Sequence, residues 1–207
     1  MIYKNIIKRI LDIICALAAL IVFCWLYAIV AILVKMKLGS PIIYSTERTG
    51  KNGKAFRLYK FRSMTNAYDS NGELLPDTER LTKFGRILRA SSLDELTEAW
   101  NILKGDMSVI GPRPLPTIYL PYYTKEENHR HDVRPGLSGL AQINGRNALK
   151  WEDKFFYDLE YVRNVSFCMD VKIVFLTVKK VLVHENIGQG EEAPKSLHIV
   201  RKDKTAH

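Results

Sequence analysis

One uncharged stretch near the start of the chain constrains the fold more than any other feature. Residues 13–34 form a run of 22 residues without a charged side chain. At about 1.5 Å per residue a helix of this length reaches roughly 33 Å, against about 30 Å for the hydrocarbon core of a bilayer. A cleaved signal peptide fits less well, because Lys35-Met36-Lys37 follows the run in place of a small-residue cleavage site. The sequence therefore predicts a membrane-associated segment within residues 1–40.

Basic residues flank this segment on both sides. Lys4, Lys8 and Arg9 precede it, and Lys35 and Lys37 follow it. Basic flanks favour the cytoplasmic side of a membrane. A re-entrant helix, which enters one leaflet and returns, satisfies both flanks, whereas a straight span satisfies one. We therefore expect a re-entrant helix, with a plain span that leaves the basic domain inside as the alternative.

Composition limits the partners of the chain. Its 207 residues include 31 Lys and Arg against 22 Asp and Glu, which gives a net charge of +9. This excess implies an anionic partner: nucleic acid, anionic lipid or a phosphorylated substrate. Three cysteines exclude a disulfide scaffold. Because all three lie in apolar stretches, we predict free cysteines that pack in the interior.

Residues 41–185 are predicted to form a compact α+β domain that is predominantly helical, followed by a polar tail over residues 186–207. The domain begins after a break at Gly39-Ser40-Pro41. Two β-type stretches around a Gly-containing turn predict a small hairpin over 42–46 and 55–60. Helices are predicted at 78–89, from Ser92 to a stop at Gly105, at 151–163 and at 169–183. The last is apolar enough to lie at the membrane interface, with an ordinary core helix as the equal alternative.

Asp94 and Glu95 are the acids of most chemical interest. Ser92 and Glu95 have the spacing of a capping box, which would place Asp94 in the first turn of a helix. A carboxylate there is expected to stay ionised, which suits a metal ligand or a nucleophile. Adjacent helical side chains point about 100° apart, so the two acids are expected to have separate roles. Taken alone, acids in a first turn are more often structural.

Cationic side chains are dense on the predicted loops and helix ends around this pair. Arginine suits bidentate phosphate binding, and Mg²⁺ commonly uses one or two carboxylates and completes its shell with substrate phosphates and water. The combination predicts a site that handles a diphosphate with a divalent cation. The sequence contains neither a P-loop nor GxGxxG, which argues against the familiar nucleotide folds. The cations in question are Lys60, Arg62, Arg86, Arg89, Arg113, Arg134 and Arg146.

Several motifs in one order resemble a known family. Over residues 1–183 the chain is similar to the small monotopic polyprenyl-phosphate phosphoglycosyl transferases, the bacterial sugar transferase family. The matching stretches are KRILDI, YKFRSM, LDELTEAWNILKGDMSVIGPRP, VRPGLSGLAQINGRN and DLEYVRN.

This resemblance implies an enzyme that transfers a phospho-sugar from a UDP-sugar to undecaprenyl phosphate and releases UMP, with Mg²⁺ as cofactor. It implies that Asp94 is the nucleophile of a covalent intermediate and a metal ligand, and that Glu95 has a supporting role at the metal or the acceptor. Pro112 and Arg113 fall in the family's Pro-Arg-Pro loop. The substrate contacts expected on this basis are Lys60, Arg62, Arg89, Pro112, Arg113, Arg134 and Arg146.

The resemblance also implies a location and partners. The expected place is the cytoplasmic face of the bacterial inner membrane, in contact with anionic lipid, with downstream membrane glycosyltransferases as further partners and no nucleic acid. The chain departs from the family in one respect: Cys24-Trp25 stands where members commonly have Ser-Pro in the membrane helix. A proline there would bend the helix, and this cause is absent here.

A membrane-tethered basic module that binds lipid or nucleic acid without catalysis is the alternative function. Such a module would use the same excess of basic residues to bind its anionic partner. The two acids and the arginine-bearing loops argue against it, because a pure binder has no use for an Asp at a helix end beside acids of the type that bind Mg²⁺.

Overall fold

The structure is a computed structural model that describes residues 2–145, 149–183 and 196–202. It is mostly helical with two small sheets, which confirms the predicted fold class in outline. The helices are α1 (Lys8–Val22), α2 (Cys24–Leu38), α3 (Asp77–Arg80), α4 (Lys83–Ala90), α5 (Glu98–Lys104), α6 (Lys125–Asn128), α7 (Leu140–Ile143), α8 (Trp151–Arg163), α9 (Phe167–Val183) and α10 (Leu197–Val200). The strands are β1 (Ile43–Thr49), β2 (Ala55–Phe61), β3 (Ser108–Ile110) and β4 (Gly136–Ser138).

The N-terminal apolar segment forms two helices joined by a sharp bend. No single helix in the described part of the chain has the length and apolar content to cross a bilayer by itself. The stretches Tyr3–Val22 and Cys24–Leu38 meet these criteria only as a pair, bent by 65°. The backbone leaves the helical region at Phe23, with φ −101° and ψ 14°. The bend thus occurs without a proline.

Packing onto two different surfaces accounts for the bend. Ala16 of α1 lies in a cluster with Ala99 and Ile102 of α5. Val30 and Val34 of α2 lie in a separate cluster built on β2 and α4. Because each half of the apolar run buries one stripe against a different part of the domain, tertiary contacts outweigh the preference of the run for a straight helix.

Charged residues at the start of α1 have partners inside the protein. Asp12 is buried and accepts hydrogen bonds from the Ser108 hydroxyl (2.9 Å) and the Val109 amide (2.9 Å). Lys8 pairs with Asp170 of α9, with 2.6 Å between Nζ and Oδ2. Since buried charges are tolerated only when they are satisfied, these bonds fix the N-terminal end of α1 to the domain.

The hairpin is confirmed, with longer strands than predicted. β1 and β2 are antiparallel, and their register places Tyr44 opposite Lys60 and Arg48 opposite Phe56. Residues two apart in a strand share a face, so Arg48 and Lys60 point to the same side of the hairpin. The register therefore fixes the positions of Arg48 and Lys60 on the face of the hairpin that they share.

A second, parallel sheet brings together the two glycine- and proline-rich loops. Ser108 of β3 pairs with Gly136 of β4, and Ile110 pairs with Ser138. The backbones approach so closely that a Cβ on Gly136 would lie 2.0 Å from the Gly111 amide nitrogen. Glycine is therefore required at this crossing, and the segment that contains Arg113 is held rigidly.

The helices around the acid pair differ from the prediction. The predicted helix over 78–89 is broken into α3 and α4, and the Thr82 side chain caps α4. The predicted capping box at Ser92 is wrong, because Ser92 has φ 56° and makes no side-chain cap. A short 3₁₀ turn over Leu93–Glu95 follows, and α5 begins only at Glu98. The predicted stop at Gly105 is confirmed, with φ 94°.

The C-terminal part also brings corrections. The helix predicted at 151–163 matches α8. Within the predicted polar tail, residues 196–202 are described, and Leu197 is fully buried in a cluster with Tyr119, Trp151 and Phe155. This part of the tail therefore packs on the domain. The cysteines are free as predicted, but they are exposed on the surface and not packed inside: they are Cys15, Cys24 and Cys168.

Candidate active site

Five of the predicted site residues lie together where the end of β2, the 3₁₀ turn and the loop after β3 meet. Lys60 Nζ lies 2.5 Å from Glu95 Oε1, and Arg113 Nη2 lies 2.7 Å from the same oxygen. The positive charges of Lys60, Arg89 and Arg113 act on the carboxylate of Asp94, which lies on the same 3₁₀ turn as Glu95. The structure thus brings two acids and three cations into one cluster.

The Asp94 carboxylate differs from its neighbours in having no fixed partner. Its residue is 7% exposed, and no hydrogen bond joins its oxygens to another residue in the described ranges. Burial raises its pKa, as does the charge of Glu95, and the nearby cations oppose both effects. The predicted stabilisation of an ionised carboxylate by the first turn of an α-helix does not apply to Asp94, because Asp94 lies on a 3₁₀ turn. The result is a poorly solvated carboxylate with free lone pairs, as a nucleophile requires.

Glu95 has the opposite environment. Burial alone would raise its pKa, but the charges of Arg113 and Lys60 outweigh that effect and lower the pKa to about 2. It therefore remains anionic and fixes the positions of both cations. The resemblance implies a supporting role for Glu95 at the metal or the acceptor, whereas its contacts in the structure are with the two cations.

Glu98 is a third acid of the cluster, which sequence reasoning missed. Its residue is 2% exposed, and its Oε1 lies 3.1 Å from Lys60 Nζ. Burial and the charge of Glu95 raise its pKa to about 7. Glu98 follows Glu95 by three residues in the sequence. This spacing could have indicated that the two acids lie together, because residues three apart on helical turns are neighbours.

Replacement of Glu98 by Gln is expected to change the pH dependence of stability. Folding raises this pKa from 4.5 to about 7, so the stability from its protonation is fully present below pH 4.5 and lost as the pH rises through 7. Glu98→Gln removes this loss. The melting temperature of the variant relative to the parent protein should therefore rise between pH 5 and pH 8.5, by on the order of 5 °C. A difference that stays constant over this pH range would contradict the assignment.

The remaining predicted cations have different surroundings. Arg89 Nε donates to the Ser63 hydroxyl at 2.8 Å, close enough for its charge to affect Asp94. Arg62 instead holds the end of α2, where it donates to the carbonyls of Ser40 (2.6 Å) and Leu38.

Arg134 lies at the other end of α5 from the acids. It donates to the Gly105 carbonyl at 2.8 Å, and Arg9 donates to the neighbouring carbonyl of Ile102 at 2.6 Å. The structure therefore gives Arg134, like Arg62, a contact with a helix end and not with the acid cluster. Arg146 lies outside the described residues.

A buried ion pair that the sequence analysis missed supports the Pro-Arg-Pro loop. Arg130 donates to Asp158 of α8 through Nε (3.0 Å) and Nη2 (2.8 Å), and its Nη2 also donates to the carbonyl of Arg113 (2.8 Å). Pro112 is buried, and its carbonyl accepts the Gly136 amide at 2.9 Å. The backbone on which Arg113 projects is thus held from two sides.

The bent helix pair touches the turn that carries the acids. The Tyr27 hydroxyl of α2 donates to the carbonyl of Leu96 at 2.6 Å. Since Leu96 follows Glu95 directly, the acid cluster lies beside the apolar segment.

The donor set fits a Mg²⁺ ion that relies on its substrate for most ligands. Among the described residues, no group of three or more His, Cys, Asp or Glu side chains is arranged to hold a metal. Glu95 and Glu98 contact Lys60, whereas the Asp94 carboxylate forms no hydrogen bond or ion pair with any residue that the structure describes. Because Mg²⁺ commonly takes one or two carboxylates and completes its shell with phosphates and water, Asp94 suffices as the protein ligand.

Comparison with known proteins gives a family match over most of the chain. The family described as bacterial sugar transferase matches residues 3–184. A protein of Bacillus subtilis named as the uncharacterized sugar transferase EpsL is 51% identical over 184 residues, which cover 89% of this chain and 91% of the relative.

Two relatives with more specific names are longer proteins. The UDP-glucose:undecaprenyl-phosphate glucose-1-phosphate transferase of Klebsiella pneumoniae is 38% identical over 87% of this chain and 41% of its own length. The UDP-N-acetylgalactosamine-undecaprenyl-phosphate N-acetylgalactosaminephosphotransferase of Aeromonas hydrophila is 38% identical over 85% of this chain and 44% of its own length. The chain thus spans less than half the length of these two relatives.

Proposed function

The chain belongs to the bacterial sugar transferase family and is a phosphoglycosyl transferase, and we propose that it transfers a phospho-sugar from a UDP-sugar to undecaprenyl phosphate and releases UMP. The names of the relatives support the substrate classes. The observation that carries the proposal is the buried carboxylate of Asp94, which lies among Lys60, Arg89 and Arg113 and has no hydrogen-bond partner in the described residues.

In the first step Asp94 attacks the β-phosphorus of the UDP-sugar. A bond forms between its carboxylate oxygen and phosphorus, and the bond from phosphorus to the oxygen of the α-phosphate breaks. The electron pair leaves with UMP, and no proton transfer is needed. The product is an aspartyl phospho-sugar. Burial, and the absence of hydrogen bonds from the described residues, leave the carboxylate oxygens available for this attack.

The cations stabilise the charge that this step redistributes. Lys60 and Arg113 are held by Glu95, so their positions are set before the substrate binds. Preorganised donors of this kind stabilise developing charge on phosphate oxygens without reorganisation. Glu95 therefore acts through the cations, as a positioning residue.

We propose Asp94 as the protein ligand of Mg²⁺, together with oxygens of the diphosphate. When bound, the ion neutralises negative charge on the diphosphate and so eases the approach of an anionic nucleophile. A carboxylate has two oxygens, which leaves one of them to attack phosphorus.

In the second step undecaprenyl phosphate accepts the phospho-sugar. An oxygen of its phosphate attacks the phosphorus of the intermediate, the bond to Asp94 breaks, and the carboxylate is regenerated. The contact between Tyr27 and Leu96 places the acids next to the apolar helix pair, where a polyprenyl chain in the bilayer can present its phosphate. The lipid product would then serve downstream membrane glycosyltransferases.

We propose that the bent pair enters and leaves the same leaflet of the cytoplasmic membrane. Lys8 ties one end of the pair to Asp170, and Arg62 ties the other end to the hairpin strand β2. Both ends therefore belong to one domain. Large apolar side chains around the bend are exposed, among them Ile21 (71%) and Trp25 (58%), as expected for a lipid-facing surface. The basic flanks would contact anionic headgroups.

Thiol labelling tests this topology. In a variant with Cys15, Cys24 and Cys168 replaced, a single Cys is placed at exposed Asn5. We expect an impermeant thiol reagent to leave it unlabelled in intact cells and to label it after the cells are opened. A Cys in place of exposed Lys51, in the hairpin turn, is the matched control. Labelling of position 5 in intact cells would establish a straight span and contradict the re-entrant arrangement.

A UMP-release assay tests the proposed function. The purified full chain is incubated with Mg²⁺, undecaprenyl phosphate and each of a panel of UDP-sugars. At least one sugar should give UMP and a lipid-linked phospho-sugar in equal amounts. If no sugar gives UMP, the proposed function is wrong and the alternative of a basic binding module is favoured.

A further inference from the structure

Two cations near the acid cluster take no part in the proposed mechanism. They are Arg48 of β1 and Lys154 of α8. No hydrogen bond or ion pair joins either side chain to another residue in the parts of the chain that the structure describes. The Nε atom of Arg48 is buried without a partner. Arg48 as a residue is partly exposed, so its outer nitrogens are open to a ligand, and a buried guanidinium N–H without a partner favours an anionic acceptor.

The neighbours of Arg48 place it beside the Pro-Arg-Pro loop. The residues on both sides of it bond to the segment after Arg113: the Glu47 carboxylate accepts from the Thr117 hydroxyl at 2.9 Å, and the Thr49 amide donates to the Leu115 carbonyl at 2.9 Å. Arg48 also shares its face of the hairpin with Lys60. Arg48 therefore lies on the face of the hairpin that carries Lys60, next to the segment that follows the loop.

Lys154 approaches the same loop from α8. Its Nζ lies 4.6 Å from the centre of the Trp151 ring, and this ring packs edge-on against Tyr119 at 5.5 Å. Tyr119 belongs to the segment that follows the loop. Burial lowers the pKa of both Arg48 and Lys154, and the charge of Arg113 adds to this effect, while the charge of Glu98 opposes it at Arg48 and that of Asp158 opposes it at Lys154. Arg48 and Lys154 thus both lie within electrostatic range of Arg113, and in the described residues neither forms an ion pair with a carboxylate.

We propose that Arg48 and Lys154, with Arg113 between them and the acids, bind the nucleoside monophosphate half of the UDP-sugar, and UMP once it has left. This inference rests on the proposed function. Arg113 uses Nη2 for Glu95, its side chain is 47% exposed, and a guanidinium has five N–H donors. It can therefore contact both phosphates of the diphosphate, with Asp94 on the side of the transferred one.

The lipid acceptor is assigned to a different side of the site. Its phosphate must arrive from the bilayer, and the membrane segment touches the acids through Tyr27 and Leu96. The two unassigned cations instead lie on β1 and α8, against the segment that contains Leu115 and Tyr119. The soluble nucleotide is the substrate half that fits this position.

Binding of UMP to the full chain in detergent, together with steady-state kinetics, tests the assignment. A charge-assisted hydrogen bond to phosphate accounts for about ten- to a hundred-fold in affinity. Arg48→Gln and Lys154→Gln should each weaken UMP binding by about this factor and raise KM for the UDP-sugar more than they lower kcat. KM for undecaprenyl phosphate should not change. Arg48→Lys, which keeps the charge, should recover part of the loss.

Lys51→Gln is the matched control, because Lys51 is exposed in the turn of the same hairpin. It should bind UMP like the parent protein. The inference is overturned if Arg48→Gln and Lys154→Gln bind UMP normally, or if they raise KM only for the lipid. Lys154 is partly exposed on the surface of α8, so its replacement tests the site even if the Arg48 variant does not fold. A parent protein that releases no UMP from any UDP-sugar would instead defeat the proposed function.

Discussion

Replacement of Asp94 by Asn is expected to lower the rate of UMP release by about a thousand-fold or more. The amide keeps the size of the side chain but supplies no anionic oxygen to attack phosphorus. Because Lys60, Arg89 and Arg113 stay in place, the variant should still bind UMP and the UDP-sugar. The measurement is UMP release under saturating substrate, with thermal unfolding as the check on the fold.

Asp77→Asn is the control for this experiment. It makes the same chemical change at an acid whose side chain is 77% exposed and lies on α3, outside the acid cluster. Its activity should match that of the parent protein. If Asp94→Asn also kept full activity, Asp94 would not be the nucleophile.

Replacement of Asp158 by Asn is expected to lower the free energy of unfolding far more than replacement of an exposed acid would. The side chains of Asp158 and Arg130 are 5% and 2% exposed, so the substitution leaves a buried guanidinium without its counter-charge. Breaking such a pair costs about 3–5 kcal/mol in the free energy of unfolding. Because Arg130 also holds the carbonyl of Arg113, the surviving folded protein should bind the UDP-sugar more weakly.

Denaturant unfolding measures this effect, with an exposed ion pair as the comparison. Glu126 and Arg163 also pair, but their side chains are 65% and 62% exposed. Glu126→Gln should therefore cost at most about 1 kcal/mol. Replacing both buried partners, as in Arg130→Met with Asp158→Leu, should recover part of the stability. Equal losses for Asp158→Asn and Glu126→Gln would contradict the importance of the buried pair.

Local sequence patterns predicted the elements that depend on local chemistry. The hairpin, the stop at Gly105 and the helix over 151–163 follow from strand propensity, glycine conformation and helical periodicity. The acid pair was also accessible, because Asp94 and Glu95 are adjacent in the chain and surrounded by arginines. Charge density alone could not separate Arg113, which reaches the acids, from Arg62 and Arg134, which hold helix ends.

Features that depend on distant contacts were not accessible from local patterns. The bend at Phe23 arises because α1 and α2 pack on different parts of the domain, with no proline to mark it. The pairing of Arg130 with Asp158 joins residues 28 positions apart. The role of Ser92 was misread because a capping pattern and a left-handed turn use the same residue types.

Mass spectrometry of the intact protein tests the central claim most directly. The full chain is mixed with Mg²⁺ and the active UDP-sugar in the absence of undecaprenyl phosphate. If Asp94 forms a covalent intermediate, one equivalent of UMP appears, the protein gains the mass of one phospho-sugar on Asp94, and Asp94→Asn shows neither change. If UMP appears only when the lipid acceptor is present, and the protein never gains mass, then transfer is direct and the account of Asp94 is wrong.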